Sequence, residues 1–484
     1  MPTTTIIEAR IMQTFPMRLP LAALAVALLG GCASLSDDHG FAAVETGVAR
    51  HLPQKPVWTR DAESRAAADA RIEALLAEPL TADGAVEIAL LNNPGLQAAY
   101  HELGFADAER VRAARLPNPG LSIGRLTRGS EVEWERSLHL NLAALLALPL
   151  RADIEARRFE ATRQDLVRQT LAVAYQARRA WIVAVAAGGS AVYQRQAMEA
   201  AEASAELARR MAEAGNWSSL QRAREQAFYA DTALAVARAE QARMGARERL
   251  LRVLGLSDPA RLRLPERLPA LPDTLPPLAE VEQRALDTRL DLAGARMAAE
   301  VQARNLGLTR RTRFINVLEL GVINNGSNEE PQQRGYEISV ELPLFDFGST
   351  RVAQAEALYG QTLARAREIA VDARSEIREA YAMRASQYAI ARHLADEVVP
   401  LRKRISEENV LRYNGMLISV FELLADARVQ IAAVNAALDA QRDYWLAEAD
   451  WAMAQLGTPG TTGQPGLANQ PAMASSASAD AGGH

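Results

Sequence analysis

Tyr336-Glu337-Ile338-Ser339-Val340-Glu341-Leu342 alternates without a break. In an extended strand Tyr336, Ile338, Val340 and Leu342 fall on one face and Glu337, Ser339 and Glu341 on the other, because successive side chains point to opposite sides. The stretch 137–143 repeats the pattern, with Leu138, Leu140 and Leu142 opposing Ser137, His139, Asn141 and Ala143. Partner strands are expected at about 120–127 and 313–322. Gly129-Ser130 and Asn324-Asn325-Gly326 would supply the turns of two hairpins. A strand with one apolar face either lies half-buried on a globular core or stands between lipid and water in a transmembrane barrel. Three features favour the barrel. The start of the chain reads as an export signal, ordinary core helices to cover a sheet are missing, and Glu337, Glu341 and His139 stand where a wet lumen permits them. Four strands cannot close a barrel, so closure needs several subunits.

The rest of the chain has a helical grammar. Of 484 residues 49% are hydrophobic but only 5% aromatic, and Ala and Leu dominate the apolar share. That is thin material for several globular cores and suits long helices packed side by side. Runs at about 152–213, 218–254, 350–412 and 418–455 are filled with Ala, Leu, Arg, Glu and Gln, all good helix formers. Sixty helical residues extend about 90 Å at ~1.5 Å rise per residue. Their narrow Ala/Leu stripe needs lateral helical neighbours.

Composition also excludes. With 54 basic and 59 acidic residues the formal charge is −5, and no basic patch marks a nucleic-acid footprint. The one cysteine, Cys32, rules out an intrachain disulfide, and no two of the six histidines stand at metal-ligand spacing. No phosphate-binding loop, dinucleotide fingerprint or nucleophile elbow is present, and no set of nucleophile, base and orienting group can be assembled. The expectation is a protein that is not an enzyme, with no cofactor and no metal site.

The chain is duplicated. Leu96 and Leu292 are 196 positions apart in similar surroundings, Pro149 and Pro343 of the two Leu-Pro-Leu triplets 194, and the helix-breaking Gly215 and Gly415 200. Each copy reads as one helix (about 83–115 and 278–311), a hairpin (about 117–149 and 313–344) and two long helices. The expected order is a signal peptide at 1–31, an extended segment at 32–77, repeat one at 78–259, a proline-rich linker at 260–277, repeat two at 278–456 and a disordered tail at 457–484.

Before the repeats, Arg18 precedes an uninterrupted apolar run, Leu19 to Leu29, too short to span a bilayer. Leu29-Gly30-Gly31-Cys32 resembles a bacterial lipoprotein lipobox, which implies that Cys32 becomes the first mature residue and carries acyl chains. Translation could begin at Met1, Met12 or Met17.

Taken in order, several pieces resemble the TolC-like outer-membrane efflux family across nearly all of 78–456. They are Leu80-Thr81 with Ala89-Leu90-Leu91-Asn92-Asn93-Pro94, Leu116-Pro117-Asn118-Pro119 opening the first hairpin, Leu342-Pro343-Leu344-Phe345-Asp346-Phe347-Gly348 ending the second, and Arg412-Tyr413-Asn414-Gly415 with Ser419 and Glu422-Leu423-Leu424 at the second helical turn. The resemblance implies a mainly α fold with a small β part. Three chains would supply twelve strands to one outer-membrane β-barrel and their long antiparallel helices to a periplasmic α-barrel. It implies a lipid-anchored, membrane-spanning homotrimer in the bacterial outer membrane, a passive duct docking with a periplasmic adaptor and an inner-membrane pump and exporting small molecules or metal ions. The alternative is a periplasmic coiled-coil lipoprotein scaffold without channel activity. Glu422 aligns with a family acid that narrows the periplasmic aperture, Asp426 lies one turn further, and Tyr413 and Arg412 with Arg404 are candidates to hold the mouth closed. Gly215, Asn216, Gly415 and Met416 are candidates to meet the adaptor. Two departures stand out. Copy one lacks the Phe-Asp-Gly-Gly junction, since Leu150 runs straight into Arg151-Ala152-Asp153, and its first long helix is expected to be the shorter one. At the second tip, Met416 stands where the family usually carries glycine.

Overall fold

The structure is a computed structural model that describes residues 34–275, 286–314, 317–341 and 345–457. Cys32 with its signal segment, most of the expected tail, and Leu342-Pro343-Leu344 lie outside the described residues. In chain order the elements are α1 (Phe41–Ala49), α2 (Ala62–Leu76), α3 (Ala82–Asn92), α4 (Pro94–Ala114), β1 (Gly120–Arg128), β2 (Glu131–Asn141), α5 (Leu142–Glu213), α6 (Ser219–Leu254), α7 (Leu290–Thr312), β3 (Leu318–Ser327), β4 (Gln333–Val340), α8 (Ser349–His393), α9 (Val399–Asn414) and α10 (Val420–Leu456). Two compact units divide the chain. One is drawn from the segment up to His39, Phe105–Ala156 and Gly307–Ala353, and the other from Gly40–Gly104, Arg157–Leu306 and the chain from Gln354 onward.

The first unit holds one antiparallel sheet in the order β1-β2-β3-β4. Both hairpins are present, with three differences from the reading above. The second turn lies at 328–332, because Asn324 and Asn325 still pair with Arg334 and Gln333. The ladder is extended there by β2, whose Glu133 and Trp134 pair with Ser327 and Gly326, and the Asn328 side chain bridges the Val132 amide and the Ser130 carbonyl. The last strand residue of the first hairpin is Asn141, whose Oδ1 accepts from the Ala144 amide at 2.7 Å and starts α5 at Leu142. Leu142 and Ala143 are therefore helical, and Pro149 lies inside the helix. This early start removes the need for a strand-to-helix junction in copy one. It also means that copy one's first long helix is not the shorter one: α5 runs unbroken for 72 residues, while in copy two α8, which starts at Ser349, continues through a π-helical turn into α9, which ends at Asn414. In copy two the junction is made by Asp346, which accepts from the Gly348 amide at 2.8 Å and the Thr350 hydroxyl at 3.2 Å. Within this unit Asp107 is fully buried and holds the Ser36 amide at 3.0 Å, His39 at 3.2 Å and Arg110 at 2.6 Å.

The second unit is helical. The expected helix at about 83–115 is two, α3 and α4. Pro94 lacks an N–H and forces Asn93 out of the helical region (ψ 116°), while Asn93 Oδ1 caps the Leu96 amide at 2.9 Å. Along α5 Thr170, Ala177, Ala184 and Ala191 are buried seven residues apart, with Ala174 and Trp181 between them, so small side chains let neighbouring helices approach in coiled-coil fashion. Contacts give the direction of packing. Arg195 meets Glu240 and Ser204 meets Glu225, so α5 and α6 run antiparallel. Tyr381–Trp451, Arg384–Glu448 and Tyr388–Tyr444 do the same for α8 and α10. Gln194–Asn435 and Arg179–Asp450 place α10 antiparallel to α5, so the repeats pack on one another.

The two repeats close their ends in parallel ways. Asn92 donates to the Leu254 and Gly255 carbonyls at 3.1 and 2.8 Å, and Asn93 to Val253 at 2.8 Å, capping the last carbonyls of α6. In repeat two the buried Arg289 donates to the Ala454 carbonyl at 3.0 Å near the end of α10 and is neutralised by Asp291 and Glu376. Pro400 follows a π-helical turn, Leu394–Val398, in the first long helix of repeat two. α5 has no such interruption near the corresponding level.

Candidate functional site

Two regions carry the candidate chemistry, the sheet and the helical tips. In the sheet, register sorts the side chains into two faces. Leu121 pairs with Leu138, Leu138 with Val322, and Val322 with Tyr336. One step nearer the strand roots Leu140, Leu320 and Ile338 form the next row, then Leu318 and Val340. Tyr336, Ile338 and Val340 are more than half exposed, as are Leu121, Ile123 and Val322. Phe345 and Phe347 add exposed aromatic surface close to the roots. The opposite face is polar. Its row Gly120, His139, Gly321, Glu337 is crossed by the His139 imidazole, whose Nε2 lies 2.7 Å from Ser137 Oγ. A Cβ on Gly321 would come within 2.8 Å of His139 Nδ1, so glycine makes room for that ring. Among the described residues the outer edges of β1 and β4 have no partner strand.

At the tips the helices turn at 214–218 and 415–419. Ser218 caps the Gln221 amide at 3.3 Å while Gln221 Oε1 accepts from the Ser218 amide at 2.7 Å. Ser419 and Glu422 repeat this reciprocal cap, both bonds at 3.3 Å. With Ser218 matched to Ser419, the partner of Gly215 is Met416, not Gly415. Gly215 has φ +79° and Met416 +57°, whereas Gly415, the C-cap of α9, has φ −81°. The positive-φ position of the second tip therefore lies one residue after the helix-breaking Gly415. Asn216 and Met416 are exposed, Met416 almost completely at 93%.

Glu422 is exposed, and its carboxylate serves the cap. Asp426 is half-buried on the same face one turn on, and its Oδ2 makes no hydrogen bond among the described residues. Arg412 bonds Glu408 on its own helix at 3.3 Å, and Tyr413 is partly exposed.

The links between the two tips are made by residues the sequence reading did not single out. Trp217, 7% exposed, stacks on Phe421 with ring centroids 4.3 Å apart, in a cluster with Ala208, Val420, Met211 and Leu424. Beside it, buried Glu225 accepts from Ser204 Oγ at 2.6 Å and from Arg428 at 2.6 Å, and the Arg428 guanidinium lies 4.4 Å from the Phe228 ring centroid. Repeat one thus contributes Trp217, Phe228, Glu225 and Ser204, and repeat two Phe421 and Arg428. The one available signal was the Ser-x-x-Gln/Glu box, which fixes the start of each returning helix and hence the register of 217 against 421. Nearby, hydrogen bonds from Arg209 and Arg210 hold the Glu206 carboxyl down at about 2.

No protein-family model matches the sequence, and no curated protein does. The fold is nonetheless shared with solved structures of outer-membrane channels: among the described residues a mainly helical chain carries one four-stranded antiparallel sheet. Among solved structures it is similar to the CmeC outer membrane channel of Campylobacter jejuni, with a TM-score of 0.66 and 16% identity over 78% of this chain and 86% of that one. The outer membrane protein VceC of Vibrio cholerae gives 0.64 and 16% over 78% and 96%. CusC, described for its folding and transmembrane channel formation, gives 0.64 and 17% over 78% and 92%.

Proposed function

We propose that the chain is the outer-membrane channel subunit of a tripartite efflux system, a passive homotrimeric duct from the periplasm to the exterior. The observation that carries this is the sheet: an exposed apolar face, a polar opposite face with His139 and Glu337, and two edges that no described residue pairs. Exposed apolar rows and open edges are both costly in water. Three copies joined β4 to β1 satisfy the edges in a twelve-stranded barrel and give the apolar rows to lipid. The fold shared with CmeC, VceC and CusC supports the same reading. A periplasmic scaffold would leave the apolar face without a cover.

In this reading Cys32 carries the acyl anchor, and the tips form the periplasmic mouth. Gly215, Asn216, Gly415 and Met416 face a periplasmic adaptor, which brings in an inner-membrane pump. Glu422 and Asp426 line the aperture, with Arg412 and Tyr413 beside it. Trp217–Phe421 and Arg428–Glu225 hold the repeat-two hairpin against repeat one. The cargo is small molecules or metal ions. The test is to purify the full chain from membranes, examine it by gel for a trimer that dissociates only on heating, and reconstitute it in planar bilayers. Discrete conductance from a heat-modifiable trimer is expected. A monomer that leaves the membrane in salt and conducts nothing would overturn the proposal.

A further inference from the structure

The charged residues of the sheet are segregated by face. On the apolar face the strand residues that carry charge are Arg125, Arg136 and Arg334, with no carboxylate among the described strand residues. On the polar face stand Glu131, Glu133, Glu135, Glu319 and Glu337, with Arg128. Chance placement of nine charges would not be expected to put every acid on one side.

The three arginines also fall in two neighbouring rows. Arg136 pairs with Ile123, Arg334 with Asn324, and Arg125 one row further with Trp134. All three lie beyond the Leu121–Leu138–Val322–Tyr336 row, on the side of the hairpin turns, and all are exposed. Arg125 lies 5.8 Å from the Trp134 ring centroid. At the opposite border of the apolar rows stand exposed Phe314, Phe345 and Phe347, with Arg313 4.2 Å from the Phe314 ring centroid, and no arginine there on the apolar face of the described strand residues. The root border carries its guanidinium–ring contact off the strands, whereas the turn-side border combines a tryptophan with three strand arginines on the apolar face.

We infer that Arg125, Arg136 and Arg334 form a belt that binds phosphate-bearing lipid head groups of the outer leaflet, of the kind carried by lipid A. This rests on the barrel reading of the sheet. Guanidinium groups match phosphate oxygens in fork geometry, and tryptophan settles at the head-group level. Repeated by three subunits, the belt would give a ring of nine guanidinium groups around the barrel, while the carboxylates stay inside it. A lipid is favoured over free phosphate because the arginines continue the apolar rows that acyl chains would cover.

The test uses the full-length trimer in detergent, with bis-phosphorylated lipid A and the same glycolipid stripped of both phosphates as probes. Retention of each by the trimer is counted by native mass spectrometry. Wild type should prefer the phosphorylated lipid, and Arg125→Gln/Arg136→Gln/Arg334→Gln should weaken its retention about ten-fold or more while the heat-modifiable trimer persists. Arg125→Lys/Arg136→Lys/Arg334→Lys should keep most of the preference, and equimolar inorganic phosphate should not compete. Equal retention of the two lipids by wild type, or an unchanged preference in the glutamine variant, overturns the inference. If the glutamine variant fails to assemble, wild type in rising salt decides, since a preference indifferent to salt also overturns it. A wild-type chain that forms no heat-modifiable trimer would instead count against the barrel reading itself.

Discussion

Met416 occupies at the second tip the left-handed position that Gly215 occupies at the first, with φ +57° against +79°. A side chain with a Cβ is disfavoured there by about 1–2 kcal/mol. Met416→Gly is therefore expected to stabilise the isolated protein by up to about 1 kcal/mol, read as a higher unfolding midpoint or slower exchange of the tip amides. The methionine is almost fully exposed, so burial within the chain does not account for its presence. If it meets an adaptor, Met416→Gly should weaken adaptor capture while raising stability. A stability gain with unchanged capture would leave the strain without that role.

The tip clasp should be worth more than its exposed surroundings suggest. Trp217→Ala removes a buried indole from between Phe421, Ala208 and Val420 and should cost about 3–5 kcal/mol locally. Arg428→Ala leaves buried Glu225 with Ser204 as its remaining bond, and since Arg428 is itself partly exposed the cost should be about 1–2 kcal/mol. Hydrogen exchange at 415–425 measures both. In bilayers both variants should raise the fraction of time the channel conducts, and an unchanged open fraction would separate the clasp from any gate.

On the sheet, Ile338→Arg sits in the middle apolar row and should destabilise the membrane-inserted trimer by about 2–4 kcal/mol. Cysteines introduced one at a time in a Cys32→Ser background give the face directly. Ser339→Cys should react quickly with a water-soluble thiol reagent and Ile338→Cys slowly. Equal rates would mean that both faces are wet.

Those two faces were legible from period-2 alternation alone, because a one-residue slip would move every leucine to the wrong side. The long helices, the duplication and the tip positions were legible from composition and spacing. What stayed hidden had local physical causes. Asn93 reads as part of a helical run until its side chain is seen capping Leu96 ahead of Pro94. Asn141 reads as a strand residue until its Oδ1 takes the Ala144 amide and starts α5 inside the expected hairpin. The Asn324-Asn325-Gly326 turn lost to the ladder, since β2 is long enough to keep those residues paired. Trp217–Phe421 and Arg428–Glu225 were out of reach, because the packing of one repeat on the other has no period within either.

The N-terminal segment offers a pH test. Burial would raise the Asp107 carboxyl, but Arg110, the Ser36 amide and His39 outweigh it and hold it below the ordinary aspartate value. A depressed folded value means that the charged form favours the fold. That stabilisation is complete above the ordinary value near 3.8 and is lost as pH falls through the lower folded value. The Ser36 amide, 3.0 Å from Asp107 Oδ2, should therefore stay protected at neutral pH and lose protection in strong acid. Asp107→Ala should remove the protection at every pH. A Ser36 amide equally protected in both proteins would show that the segment is held elsewhere.

Glu422 carries two roles that one substitution can separate. Its carboxylate closes the Ser419 cap, and if three copies converge it also rings the mouth with negative charge. At the first tip Gln221 closes the same cap without a charge, so glutamine is known to fit this geometry in the same chain. Glu422→Gln should then leave helix stability within a few tenths of a kcal/mol, whereas Glu422→Ala should lose about 0.5–1 kcal/mol with the side-chain half of the cap. Single-channel recordings read the other role. A weaker cation preference and weaker block by multivalent cations in Glu422→Gln, with an intact trimer, would assign the charge to the aperture. If Glu422→Gln conducts like wild type and only Glu422→Ala differs, the residue is a helix cap, and the half-buried Asp426, one turn along the same face, becomes the acid to replace next.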